Sequence, residues 1–158
     1  MLAWGASGRP EFKTVEEMDE TLVERWNSVV KPGDKVYHLG DVFMGNRLAF
    51  AKLWPRLNGR KVLIGGNHDP MKWLSVGGFF KSTYAARYLK DWNIHLSHIP
   101  MHESSIINKF DDAKCINVHG HLHRRDSPEG PYYSVCVERH NYTPVAIDDL
   151  LKNLEGLR

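Results

Sequence analysis

The sequence predicts a layered α/β domain: a mixed β-sheet arrangement flanked by helices. Three observations carry that reading. A helical apolar pattern comes first, short apolar strands follow it, and four of those strands run directly into polar residues. The 158 residues suit one domain spanning 1–158, and 42% apolar residues allow a core and exclude a disordered chain.

Thr14-Val15-Glu16-Glu17 fits a capping box, and Val15, Met18, Leu22, Trp26 and Val29 follow at helical spacing. Lys31-Pro32-Gly33 stops that helix. A short buried strand is expected over 35–39, and a second helix over 46–57, weakened near Pro55. Asn58-Gly59 turns the chain into a strand at Val62-Leu63-Ile64. Between 70 and 90 the pattern is ambiguous, with a short helix suggested at Lys72-Trp73-Leu74. Strands are expected over 93–97, 115–118 and 132–137, and a closing helix over 147–157.

Charge and composition narrow the classes. The net charge is +2, from 21 basic and 19 acidic residues, so a polybasic nucleic-acid binder is not indicated. No apolar run approaches the roughly 20 residues of a membrane span. The first ten residues lack a basic stretch followed by an apolar one, so the expected setting is cytoplasmic, with no membrane association. Cys115 and Cys136 read as reduced core thiols, not a zinc clip.

The chemistry lies at the strand ends. The first strand is followed by Gly40-Asp41, the second by Gly65-Gly66-Asn67-His68-Asp69, the third by His98, and the fourth by His119-Gly120-His121-Leu122-His123. In α/β sheets ligands collect at the carboxyl ends of strands, so these loops are expected to converge. Glycine beside a ligand lets backbone approach closely. One carboxylate, one amide oxygen and several imidazoles, with no thiolate, suit Mn²⁺, Fe, Zn²⁺, Co²⁺ or Ni²⁺ better than Ca²⁺.

In this order, Gly40-Asp41, Gly66-Asn67-His68-Asp69, His98 within Ser97-His98-Ile99-Pro100, and Gly120-His121-Leu122-His123 resemble the calcineurin-like metallophosphoesterases, closest to their small bacterial and phage members. The resemblance implies a metallophosphoesterase-type layered β-sandwich flanked by helices. It implies a hydrolase, a phosphatase or phosphodiesterase, cleaving phosphate esters with metal-activated hydroxide. In such a site Asp41 bridges two ions, Asn67, His98 and His121 complete one position, and His123 belongs to the other. His68 contacts phosphate and protonates the leaving group, and Asp69 orients His68. The expected cofactor is a divalent transition metal such as Mn²⁺. The expected partner is a small phosphorylated substrate, with nucleic acid disfavoured by the near-neutral charge.

One motif is missing. The family opens with Asp-x-His, and no Asp-x-His occurs in these 158 residues. The expectation is therefore a domain without its usual first strand, through a misassigned start, truncation or true loss, with one ion position intact and the other reduced to Asp41 and His123. Glu11, Glu16, Glu17 and Asp19 are nearby carboxylates, but they fall at the head of an apparent surface helix. The alternative function is a truncated or degenerate pseudoenzyme that binds one metal or a phosphorylated ligand without efficient turnover.

Plainer roles are expected elsewhere. His38 reads as a hydrogen-bonded core histidine, and His95 and His102 as structural or surface groups. His119 is either structural or a group orienting a ligand. Arg124 and Arg125 either hold substrate phosphate or form a solvated loop pair. Tyr132-Tyr133 reads as strand packing, and Trp26 and Trp54 as core anchors.

Overall fold

The computed structural model describes residues 9–106 and 115–155. Its elements run α1 (Val15–Val29), β1 (Lys35–His38), α2 (Arg47–Leu53), β2 (Arg60–Ile64), α3 (Met71–Val76), β3 (Ser82–Tyr84), β4 (Ala86–Leu89), β5 (Ile94–Ser97), β6 (Ile116–His119), β7 (Tyr132–Ser134) and α4 (Ile147–Leu154). The protein is a mixed α/β structure with two sheets and helices.

Local chemistry sets the boundaries. Thr14 Oγ1 accepts the Glu17 amide at 3.0 Å, while Glu17 reaches back to the Lys13 amide at 2.8 Å, one residue beyond the usual capping-box partner. Asn46 caps α2 by accepting the Leu48 and Ala49 amides. The expected 46–57 helix divides: α2 ends at Leu53 and Trp54–Arg56 tightens to a 3₁₀ turn around Pro55, whose nitrogen has no proton to donate. The ambiguous 70–90 segment resolves into α3, β3 and β4. The strand expected over 132–137 ends at Ser134, and Val137–Arg139 forms a 3₁₀ turn. The helix expected to reach 157 is described as far as Leu154, and residues 156–158 lie outside the described residues.

One sheet has order β1-β2-β3, all parallel. The other has order β4-β5-β6-β7, with β4 antiparallel to β5 and the remaining pairs parallel. Successive side chains on β2 enter different cores, as the two-residue period of a strand requires. Leu63 packs with Val23, Phe50, Trp54 and Leu74, which come from or adjoin the first three helices. Ile64 packs with Leu39, Ile94, Leu96, Ile116, Val118, Leu150 and Leu154, which joins the first sheet to the second and to α4.

Trp54 is a core anchor and Trp26 a half-buried one, its indole donating to the Asn58 carbonyl at 2.9 Å. Cys115 and Cys136 are buried thiols, not joined in a disulfide. Among the described residues no helix is long and apolar enough to cross a membrane.

Candidate metal centre

β1 runs parallel to β2, and β5 runs parallel to β6, so within each pair the carboxyl ends face the same way. Asp41, Asn67, His98 and His121 follow those ends. The Asp41, His98 and His121 ligand atoms all lie within 4.8 Å of one another. His98 Nδ1 donates to the Leu39 carbonyl at 2.7 Å, so in the neutral ring Nε2 carries a lone pair. That nitrogen faces Asn67 Oδ1 at 3.0 Å, His121 Nδ1 at 3.1 Å and Asp41 Oδ2 at 3.2 Å.

Four atoms able to offer a lone pair therefore converge where Asp41 and His98 are each about 4% exposed. Such a cluster is repulsive unless a proton or a cation occupies it. Desolvation opposes charge on both buried groups. At Asp41 it is outweighed by His98 and by the His68 amide, which donates at 2.9 Å, and the carboxyl is held at about 2. At His98 desolvation is outweighed by Asp41 and the Leu39 carbonyl, and its pKa is raised. The donor set of carboxylate, amide oxygen and two imidazoles fits a divalent transition ion.

The backbone makes room for this approach. Gly40 has φ +85°, and a Cβ there would lie 2.5 Å from His98 Nδ1 and 2.6 Å from the Gly66 nitrogen. A Cβ on Gly66 would lie 2.3 Å from the Asp41 amide and carboxylate. Asp41, His121 and His123 themselves adopt left-handed conformations, with φ of 52°, 65° and 54°. Non-glycine residues rarely hold this conformation, and it concentrates at functional sites.

Asp69 does something other than orient His68. Its Oδ2 accepts the Asp41 and Gly66 amides at 2.9 and 2.8 Å, and its Oδ1 accepts Val42 at 2.7 Å. The carboxylate thus staples the Gly40-Asp41 loop to the Gly66-Asn67-His68 loop, and the expected Asp69–His68 pairing is not the one formed. The physical reason is that three backbone amides converge on the carboxylate and engage both of its oxygens. His68 is exposed, with its backbone on Asp41.

His123 lies outside the group formed by Asp41, His98 and His121. Its Nδ1 bonds to Glu138 Oε1 at 2.9 Å, and that carboxylate also accepts Arg9 Nε and a terminal Arg9 N–H at 3.1 and 3.0 Å. Burial opposes ionisation of Glu138, but His123 and Arg9 outweigh it and hold the carboxyl at about 2. Sequence reasoning misses Glu138 and Arg9. The one signal for Glu138 is an acid just after an apolar strand.

Other expected roles change. Arg124 is tied to Glu11 at 2.5 Å and to Tyr142 at 3.2 Å, and Tyr142 also donates to Glu11. Arg125 is exposed. Glu11 is thus engaged away from the centre. Asp19 is buried, contrary to a surface-helix reading, and its Oδ1 has no hydrogen-bond partner among the described residues. His38 is a core histidine against Trp54, but its Nδ1 has no hydrogen-bond partner among the described residues; desolvation, the main cause, lowers its pKa to about 3. His119 is structural: Nδ1 donates to the Gly120 carbonyl and Nε2 accepts from Ser127 Oγ at 3.0 Å. His95 stacks on Tyr88, and His102 caps a short 3₁₀ turn.

No family model matches this sequence. The chain is 34% identical over 153 residues to the uncharacterized protein MJ1445 of Methanocaldococcus jannaschii, covering 91% of this chain and 79% of that one. It therefore belongs to the family of that protein. The crystal structure of a protein of unknown function, AQ665 from Aquifex aeolicus, superimposes with a TM-score of 0.66 at 27% identity, covering 94% of this chain and 90% of the other.

Proposed function

We propose that this member of the MJ1445 family is a metal-dependent phosphoesterase of the calcineurin-like type, with that family's layered sandwich fold. The observation that carries the reading is the convergence of Asp41, Asn67, His98 and His121 polar atoms on one partly buried point. Asp41, Asn67, His98 and His121 would hold a divalent transition ion, with Mn²⁺ first among the candidates. Bound there, the ion supplies Lewis-acid polarisation of a phosphate ester and a more acidic water.

The chain's own residues do the rest. Asp69 keeps the two glycine loops in register, so Asp41 and Asn67 stay opposed. Leu39 fixes the His98 tautomer by accepting its Nδ1 proton. His68, exposed and next to Asn67 in the chain, would supply the proton to a departing oxygen. Arg125 remains a candidate for contacting substrate phosphate, whereas Arg124 is engaged by Glu11. The substrate is a small phosphorylated molecule, and mono- and diesters both fit the chemistry.

A second reading rests on His123 standing outside the three-residue cluster. It describes a one-metal protein that binds a phosphorylated ligand without efficient turnover. The test is to strip the chain, reload it with Mn²⁺, count ions per chain, and assay bis-p-nitrophenyl and p-nitrophenyl phosphate. The phosphoesterase reading expects bound ion, with turnover lost in His68→Ala and metal uptake lost in Asp41→Ala. Unchanged metal content in Asp41→Ala overturns the site. Bound ion without turnover supports the second reading.

A further inference from the structure

We propose that Glu138 is the positioning residue that sets the tautomer and orientation of His123, with Arg9 holding Glu138 in turn. The inference rests on the metal-centre reading for its purpose, but its geometry is independent of any ion. Three segments remote in sequence meet here. Arg9 precedes α1, His123 follows β6, and Glu138 sits in the 3₁₀ turn after β7.

The contacts are those of a directed relay. Glu138 Oε1 alone receives Arg9 Nε, an Arg9 terminal nitrogen and His123 Nδ1, all within 3.1 Å. The Arg9 and Glu138 side chains are 1% and 4% exposed, and the His123 side chain 26%. An ionised carboxylate can only accept, so His123 Nδ1 carries a proton and, in the neutral ring, Nε2 carries the lone pair. His98 is set in the same way, its Nδ1 donating to the Leu39 carbonyl. Two histidines that follow strand ends thus have the same nitrogen protonated by their surroundings. A carboxylate behind an imidazole also makes the far nitrogen a better donor to a cation.

His123 follows His121 by two residues in the loop after β6. Its backbone is held in a left-handed conformation, which fixes where the ring starts from. Arg9 makes the arrangement tolerable, because a buried Glu138 carboxylate without its guanidinium would be an uncompensated charge. A structural role alone, tying the segment before α1 to the end of β7, would need the Arg9 contact but not the one to His123.

The experiment begins on the metal-free protein, with ¹⁵N-labelled histidine and long-range ¹H–¹⁵N correlations at neutral pH. The His123 signals are identified by their loss in His123→Gln. The expected result is a protonated Nδ1 and a bare Nε2. A His123 ring predominantly protonated at Nε2, or averaged between tautomers, overturns the proposal. The second readout is Mn²⁺ titration by calorimetry. Glu138→Gln is expected to weaken binding about 10- to 100-fold. The same loss is expected in His123→Gln, and no further loss in the double variant. Losses that add independently overturn the proposal in favour of a structural pair. If Glu138→Gln does not fold, Arg9→Met with Glu138→Gln removes both buried charges together and serves in the same cycle. Wild-type protein that takes up no Mn²⁺ refutes the phosphoesterase reading, whereas the tautomer readout, made on the metal-free protein, still tests this one.

Discussion

The two halves of the centre are built by different physics. The half around Asp41 is made from backbone. Gly40 and Gly66 pass so closely that neither tolerates a Cβ, and Asp69 stitches the loops together through three amides. The half around His123 is made from side chains, with a buried Arg9–Glu138 pair bracing an imidazole. Backbone construction leaves little freedom and is sensitive to single atoms. Side-chain construction depends instead on charge balance, because each buried ion is tolerable only while its partner stays.

The first half should break most severely. Gly66→Ala places a methyl against the Asp41 amide, where backbone cannot yield. A loss of about 3 kcal/mol in urea unfolding is expected, together with loss of Mn²⁺ uptake. Wild-type metal affinity in that variant would mean that the close approach is not what forms the site. Asp69→Ala should come next, at about 2–3 kcal/mol, since three amides lose a charged acceptor. Metal binding should fall with it, because the loops carrying Asp41 and Asn67 are no longer joined.

The second half is sharpened by its own misfit. Arg9 directs two donors to Glu138 and lies against the Met18 sulfur, while neighbouring Asp19 is buried with Oδ1 unpaired among the described residues. Desolvation raises the Asp19 carboxyl to about 6 from its ordinary 3.8. A raised carboxyl binds an extra proton in the folded state between those values. Stability from this group therefore falls as pH rises from about 4 to about 6, and the penalty is complete above 6. Asp19→Asn should stabilise the protein by about 1–2 kcal/mol at pH 7.5, discounted for partial solvation, with the gain vanishing near pH 4. Chemical denaturation at both pH values measures it. A gain that does not change with pH would show that the charge is not the cause.

The smallest effect belongs to a site outside both halves. Thr14→Ala removes the α1 cap and should cost about 1 kcal/mol without altering Mn²⁺ affinity. A change in metal binding there would mean that α1 communicates with the Arg9–Glu138 brace, and the two halves could no longer be treated separately.

Much of the first half is legible in the order of residues. Gly40-Asp41, Gly66-Asn67 and Gly120-His121 stand directly after apolar strands, so short-range pattern alone places the candidate ligands and the glycines beside them. The Thr14 cap and the Pro55 interruption are legible for the same reason: each depends on residues within one turn. Asp69 stands out in the sequence but its task does not, because its partners at Asp41 and Val42 are 28 and 27 residues away.

The residue order thus dictates the kinds of group in this protein: which strands end in metal-competent residues and where the backbone must be bare. Only packing of the whole chain decides how they are used. It makes the strand expected over 132–137 stop at Ser134, and the resulting turn carries Glu138 to His123 and to Arg9, 129 residues away. It also gives Arg124 the Glu11 carboxylate as a partner. Periodicity and capping report interactions between near neighbours, whereas buried charge pairing is satisfied by whichever partner the packed chain brings within hydrogen-bond distance.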